Sequence, residues 1–221
     1  MGRPKYEHLL WLLHYVKEYR TEDASAKTCH TTSNTYRRRV NDFASGVYSL
    51  EDKVLVFDRR KSNARIGAKS FLSIDGTDVR IQRKQSDSYK AFFSYKFRKP
   101  GLRYLVALEI DSGNCALIFG PRLPGVYNET MMFREGIKDR LDPDERVVVD
   151  GGFKGEVAFI SPEICQTDLE KEQHRNVRLR HETFNARIKR FKILSETYRG
   201  RDLNYHIVFF VVVAIIGRNE G

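Results

Sequence analysis

The chain has 221 residues, of which 41% are hydrophobic, so it can fill a core, and wholesale disorder is excluded. Its net charge of +10 and its isoelectric point near 9.5 favour a nucleic-acid or anionic-membrane partner. Its three cysteines are odd in number and far apart, which argues against a disulfide framework or a paired metal site and favours a reducing compartment.

Residues 6 to 48 are predicted to form three short helices. Apolar residues recur at three-four spacing from Tyr6 to Tyr19, which is typical of an amphipathic helix. Thr21 can cap a second helix, and Thr32 or Ser33 can cap a third. The polar link between the second and third helices makes this region resemble a helix-turn-helix unit.

In a helix-turn-helix unit, the start of the third helix is the part that enters the DNA major groove. That position holds Asn34, Arg37 and Arg38, so these residues are candidate DNA contacts. The alternative is an ordinary helical bundle with a solvated basic face.

The pattern changes from helical to strand-like near residue 67. Residues 49 to 66 are polar and charged, which suits a linker, so we expect a helical domain at 1–48, a linker at 49–66 and a second domain at 67–221. The order of elements in that domain predicts a mixed α/β fold, with a mixed sheet flanked by helices. The predicted strands are 71–82, 91–97, 104–111, 115–119, 146–149 and 157–160, with turns at 99–101 and 111–113, and the predicted helices are 130–141, 167–196 and 202–217.

The chain shows no secretory signal. The apolar stretch from Leu9 to Val16 is interrupted by His14, and no cleavage-like sequence follows it. The apolar run from Ile207 to Ile216 has ten residues, about half of what a bilayer crossing needs. We expect a protein that is not secreted.

Three acidic residues are candidate metal ligands. Asp75 and Asp150 each end a strand-like run, and Glu182 lies in the middle of a basic helix. Each has an ordinary structural explanation, because Asp followed by Gly is a common turn and Glu182 could form an i,i+4 surface pair with Arg178. Together, on a basic domain, three carboxylates suggest metal-assisted chemistry on a polyanion.

The helix around Glu182 carries two faces. Val177, Phe184, Ile188 and Phe191 are predicted to form its apolar stripe. A separate face carries four polar residues spaced four, three and four apart, namely Arg178, Glu182, Asn185 and Lys189. This helix can therefore pack by one stripe and present a carboxylate flanked by cations and an amide on the other.

These residues resemble the signature of a DDE transposase of the Harbinger type and its bacterial insertion-sequence relatives. The match is to Asp75 in Ile-Asp-Gly-Thr, to Asp150 in Asp-Gly-Gly-Phe, and to the family's spacing of Arg178, Glu182 and Lys189. It covers roughly residues 67 to 217, a short span for the family with no room for an insertion domain.

Further segments resemble the family, and two positions depart from it. The segments Phe92 to Lys96 and Gly120 to Gly125 are similar, as are the terminal helices. Arg175 stands where the family often has tyrosine, and Asn128 stands where it usually has aspartate.

The resemblance implies an RNase H-like catalytic domain that nicks DNA at the ends of a mobile element and transfers the 3′-end into target DNA. Asp75, Asp150 and Glu182 would be both catalytic residues and ligands of two divalent cations, Mg²⁺ or Mn²⁺. The implied DNA contacts in that domain are Lys96, Arg178, Asn185 and Lys189.

The resemblance also implies partners and a location. We expect double-stranded DNA as substrate, no membrane, a dimer or larger assembly on DNA, and a second DNA-binding protein if the host is eukaryotic. The location would be nuclear in a eukaryote and cytoplasmic in a bacterium. Three alternatives stay open: a transposase-derived DNA-binding protein without transposition activity, an RNase H-like nuclease without strand transfer, and, least favoured, a membrane-surface protein.

Overall fold

A computed structural model describes residues 5–62, 69–83, 87–200 and 202–216, with the side chains of 202–204 left aside. The three N-terminal helices lie where the sequence predicts them, as α1 (Tyr6–Glu18), α2 (Glu22–Thr28) and α3 (Ser33–Tyr48). Thr21 caps α2 by accepting from the Ala24 N–H, and Thr32 caps α3 by accepting from the Thr35 N–H.

The N-terminal helices share a hydrophobic core with the rest of the chain. Leu12 and Tyr36 are fully buried in one cluster that also contains Val79 of the sheet and Phe209 near the C-terminus. Tyr19 stacks on Tyr198, with ring centroids 6.1 Å apart. This first core therefore joins the two ends of the chain.

The segment expected to be a linker contains regular structure. Helix α4 (Glu51–Val54) is followed by a 3₁₀ turn at Phe57–Lys61, and residues 63–66 lie outside the described ranges. Phe57 is buried, and the Arg60 guanidinium forms two 2.8 Å hydrogen bonds to the buried Glu145 carboxylate. This segment is packed against the sheet, while the division of the chain into separate domains stays a prediction.

The sheet has six strands, which confirms the predicted mixed sheet flanked by helices. The strands are β1 (Ser70–Arg80), β2 (Phe93–Ser94), β3 (Lys99–Glu109), β4 (Cys115–Arg122), β5 (Arg146–Val148) and β6 (Phe159–Ile160). Strand β3 pairs antiparallel with β1, β2 and β4, and β1, β5 and β6 run parallel to one another. The order in the sheet is β2-β3-β1-β5-β6, with β4 also beside β3.

One predicted strand and one predicted turn are wrong. Residues 91–97 are not a strand: helix α5 (Tyr89–Phe92), capped by Ser88, leads into the two residues of β2 and a turn at 95–98. The segment Lys99-Pro100-Gly101, predicted as a turn, belongs to β3, because the pairing with β1 continues as far as Arg80 opposite Gly101.

Helices cover both faces of the sheet. Helix α6 (Glu129–Gly136) begins one residue before the predicted 130–141 helix and ends five residues before it does, and packs over a second core that includes Leu72, Ile74 and Phe57. The predicted 167–196 helix is α7 (Asp168–Ile188) followed by α8 (Lys192–Ser195), and α9 (Asp202–Ile216) packs beside them in the first core.

Helix α9 is buried because it is apolar on every side. Phe209 stacks on Tyr104 of β3, with ring centroids 4.0 Å apart. None of the helices within the described ranges is long and apolar enough to cross a membrane.

Candidate active site

The sheet register brings Asp75 and Asp150 side by side. Strand β5 runs parallel to β1, with Val148 opposite Ser73, so two residues further along Asp75 and Asp150 occupy matching positions. Asp75 does not end its strand, as the sequence suggested, because β1 continues to Arg80 against β3. It lies instead where the pairing with β5 ends, at the edge that β5 leaves open.

Asp150 is fixed by the turn that it begins. Its Oδ1 accepts a hydrogen bond from the Gly152 N–H at 2.8 Å, and its backbone carbonyl accepts from the Phe153 N–H at 3.2 Å. Phe153 is buried in the second core. The other carboxylate oxygen, Oδ2, lies 3.3 Å from Nη1 of Arg178 on helix α7.

Further along the same loop, Glu156 holds the segment that follows Asp150 against the C-terminal end of α6. Its carboxylate pairs with Lys138 at 2.9 Å and Arg134 at 2.5 Å. The Lys138 and Arg134 partners hold the pKa of Glu156 below its usual range.

Helix α7 begins at a capping box in which Thr167 and Glu170 satisfy each other's backbone N–H groups. Its buried residues are His174, His181, Phe184 and Ile188. The predicted apolar stripe is therefore wrong in part: Val177 is only half-buried, and two histidines lie on the inner face.

The two histidines attach α7 to the strands that carry the aspartates. His174 Nε2 donates to the Val149 carbonyl at 2.8 Å, the residue before Asp150. His181 is hydrogen-bonded to the backbone of Ser73, two residues before Asp75, and burial lowers the pKa of His181 to about 4. At neutral pH His181 is therefore uncharged and can seat the helix without introducing a buried charge.

From Arg178 onwards, the polar face of α7 lies over the aspartates. Arg178 contacts Asp150, and one turn beyond Glu182, Asn185 Nδ2 donates to Asp75 Oδ2 at 3.2 Å. Glu182 lies between those two contacts on the helix, is exposed, and lines a shallow cavity of about 230 Å³ with Arg175 and Arg178. Arg175, the position that departs from the resembled family, is thus beside Glu182.

The oxygen atoms at this edge suit a hard divalent cation. Asp75 and Asp150 supply carboxylates, and two further oxygen atoms near Asp75, Asn185 Oδ1 and Thr77 Oγ1, are buried without a hydrogen-bond partner in the part of the chain that the structure describes. As the described side chains are placed, no group of three or more His, Cys, Asp or Glu could hold a metal ion. Glu182 is therefore not joined to the aspartates in this arrangement.

A lysine and a glutamate lie against β1 next to Asp75. Lys96 Nζ donates to the Gly76 carbonyl at 2.6 Å and to Glu129 Oε1 at 3.1 Å. Glu129 packs so closely over Gly76 that a Cβ there would lie 2.0 Å from its carboxylate oxygen. Sequence reasoning missed Glu129, because only the fold brings it to β1.

Lys189 extends the positive charge along the same edge. Much of its side chain is exposed, but partial burial of the ammonium group and the neighbouring Lys96 lower the pKa of Lys189. Its charge also interacts with Asp75 and Asp78. Asp78 itself is buried and held by Arg103 at 2.7 and 2.9 Å, so it supports the sheet rather than facing the open edge.

Asn128 has a structural role that explains its departure from the resembled family. Its side-chain oxygen accepts from the Met131 N–H at 2.8 Å and caps helix α6. Asparagine and aspartate cap helices about equally well, so either residue can start α6.

The residues predicted to contact DNA from the N-terminal helices lie far along the chain from this site. Asn34 and Arg38 are exposed in the first turns of α3. Arg37 is also exposed but forms an ion pair with Glu22 of α2.

The chain matches a known protein family. The family model described as DDE superfamily endonuclease covers residues 74–216, which is more than half of the chain and contains Asp75, Asp150 and Glu182. No curated protein and no solved structure matches the chain.

Proposed function

The chain belongs to the DDE superfamily of endonucleases, and on that premise we propose that it is a transposase that cleaves DNA at the ends of a mobile element and joins the 3′-ends to target DNA. The observation that carries this proposal is the β1–β5 register, which sets Asp75 beside Asp150 beneath the polar face of α7. Packing alone gives no reason to place two aspartates and this helix face at one open sheet edge.

Asp75, Asp150 and Glu182 are the residues that would hold two divalent cations in this proposal. Magnesium or manganese bound there would supply Lewis-acid activation of the attacking oxygen and stabilisation of the leaving oxygen at phosphorus. The buried, unpartnered Asn185 Oδ1 beside Asp75 supports an oxygen-rich site.

The cations around this edge would hold the DNA strand. Arg178 reaches Asp150, and Lys96 reaches the Gly76 carbonyl next to Asp75, so both lie within reach of a phosphate positioned between the aspartates. Lys189 adds charge on the same side. Arginine and lysine contacts to phosphate fix the position of the backbone without reading sequence.

Sequence recognition would come from the N-terminal helices. Asn34 and Arg38 are exposed at the start of α3 and would face the major groove, with Arg37 available once it leaves Glu22. The pairing of two DNA ends during transposition would require at least a dimer on DNA.

The test is cleavage of DNA that carries the gene's own flanking sequences, in manganese and in chelator, with binding recorded in the same samples. Asp150→Asn and Glu182→Gln should abolish metal-dependent cuts and keep DNA binding. Asp168→Asn is the matched control, because Asp168 is a fully exposed carboxylate on the same helix as Glu182.

The outcomes separate the candidate functions. Cuts at defined boundaries followed by joining of 3′-ends support the transposase. Cuts without joining indicate a nuclease without strand transfer, and binding without cuts by the unmodified protein indicates a transposase-derived DNA-binding protein. Cleavage retained by Asp150→Asn would contradict the assignment of the site.

A further inference from the structure

The segment that leads into β3 contains a group of residues of which the proposed cleavage site uses only Lys96. Residues 89–99 contain five aromatic side chains, four lysines or arginines, and no acidic residue. Aromatic rings interleaved with cations are typical of surfaces that bind unpaired nucleic acid.

Three of these rings contact one another in a row, and the two outer rings are exposed. Tyr95 is 76% exposed and Tyr89 is 50% exposed, although tyrosine usually buries most of its ring. Phe93 lies between them, with its ring centroid 5.1 Å from that of Tyr95 and 5.6 Å from that of Tyr89. We call Tyr89, Phe93 and Tyr95 the aromatic ledge.

The loop that carries Tyr95 is held in place by two residues that follow it. Phe97 packs against Gly101, where a Cβ would lie 2.8 Å from its ring, and the Arg80 guanidinium lies 5.3 Å from the centre of the Phe97 ring. Arg98 takes a left-handed backbone conformation with φ of 54°, which closes the short loop between β2 and β3. Tyr95 is thus exposed on a fixed loop, so little ordering is needed to bind a flat partner.

The aromatic ledge lies next to the candidate active site. Lys96 follows Tyr95 directly, and its ammonium group contacts the Gly76 carbonyl, one residue from Asp75. Tyr95 is therefore separated from the Gly76 carbonyl by one peptide unit and the length of the Lys96 side chain. A DNA strand whose phosphate lies at Asp75 passes close to Tyr95.

We propose that the aromatic ledge stacks a nucleobase that has left the duplex beside the cleavage site. Inside an intact duplex both faces of each base are covered by its neighbours, so away from the duplex ends an exposed tyrosine face can stack only on an unpaired or extruded base. The cations around the ledge and its lack of acidic residues fit a nucleic-acid strand. This inference rests on the proposed function and deepens it, because it names a distorted or unpaired end as the preferred substrate.

The test compares two short duplexes of the same sequence, in chelator so that no cleavage occurs. In one, a 2-aminopurine is paired with thymine, and in the other it is an unpaired bulge. The unmodified protein should bind the bulged duplex about tenfold more tightly, within the range that one stacked base contributes, and should quench the 2-aminopurine fluorescence.

Tyr95→Ala should remove the preference and the quenching while leaving affinity for the paired duplex unchanged, and Tyr95→Phe should retain both. Tyr6→Ala is the matched control, because Tyr6 is a 91% exposed tyrosine on α1. Three results would overturn the role of the aromatic ledge alone. They are equal affinity of the unmodified protein for the two duplexes, a preference that survives Tyr95→Ala, and an equal loss of affinity for both duplexes in Tyr95→Ala. Failure to bind either duplex would overturn the proposed function with it.

Discussion

The buried ion pair between Arg60 and Glu145 offers a test of how the chain is assembled. Both side chains are essentially unexposed, at 1% and 0%, and they share two hydrogen bonds of 2.8 Å. Besides Glu145, the guanidinium contacts the carbonyls of Phe57 and Arg140 and the carboxylate of Asp58, which is 92% exposed. Removing Glu145 therefore leaves a buried cation without a buried counter-charge.

The expected cost follows from that geometry. Glu145→Leu or Arg60→Met should each lower the free energy of unfolding by about 3–5 kcal/mol, because each leaves one charge buried and unpaired. That is a large share of the roughly 5–15 kcal/mol that stabilises a typical domain. The double variant Arg60→Met/Glu145→Leu should be more stable than either single variant, because it removes both charges and keeps apolar volume.

Urea unfolding followed by circular dichroism gives the four free energies of this double-mutant cycle. The ion pair between Lys61 and Asp142 is the matched control: it is close in sequence to both partners but is 38% and 54% exposed. Lys61→Met should change stability little, because water screens an exposed pair. The reasoning is refuted if the buried single variants cost no more than this control, or if the double variant loses the sum of the two single losses.

Three further predictions concern two glycines, the attachment of α7 and the dependence of stability on pH. Gly46→Ala should stabilise the protein by up to about 1 kcal/mol, because the position is open and alanine favours a helix. Gly125→Ala should destabilise the protein, because a Cβ there would lie 1.9 Å from a backbone carbonyl oxygen. Urea unfolding of both variants would contradict this packing if the two effects had the same sign. His174→Ala should slow cleavage by roughly tenfold to a hundredfold, because a small misplacement of the helix moves the site residues that it carries. His174→Gln should recover part of the rate by donating to the Val149 carbonyl. Equal losses of rate for the two variants in single-turnover assays would rule out that hydrogen bond as the cause. The paired Glu156 carboxylate stabilises the fold fully above its ordinary pKa of 4.5, and this contribution is lost as the pH falls through the lowered pKa of the folded protein. Glu156→Gln should therefore weaken the dependence of the urea midpoint on acid pH. An unchanged pH profile of the midpoint would refute this prediction.

The elements that could be predicted from sequence are those whose signals are local. The three N-terminal helices follow from apolar spacing and from Thr21 and Thr32, whose side chains cap the helices that come directly after them. Strands β1, β4 and β5 follow from runs of apolar, strand-forming residues.

The errors occur where tertiary pairing decides the structure. Residues 91–97 are rich in aromatic residues and so favour a strand, yet Ser88 starts a helical turn there and the Ala91 carbonyl accepts from the distant Gly125 N–H. Lys99-Pro100-Gly101 has the composition of a turn, but the pairing of Gly101 with Arg80 keeps it in β3. In both segments local preference is overridden by contacts with residues elsewhere in the chain.

The candidate site could be predicted in part. Asp75, Asp150 and Glu182 could be singled out because their residue types and positions suit metal-assisted chemistry. The roles of His174 and His181 could not, since a histidine in a helical pattern is read as polar until the strand beneath it is known.

The core that α1 and α3 share with the sheet has a geometric consequence for the proposed function. The exposed start of α3 and the edge that holds Asp75 and Asp150 belong to one packed body, so the spacing between them is set by the fold. Duplex DNA advances about 3.4 Å and turns by about a tenth of a revolution for each base pair. The protein would therefore cut at a fixed distance from the sequence that it recognises. A single base pair inserted between that sequence and the cut would move the scissile phosphate along the duplex and rotate it about the duplex axis, away from the aspartates.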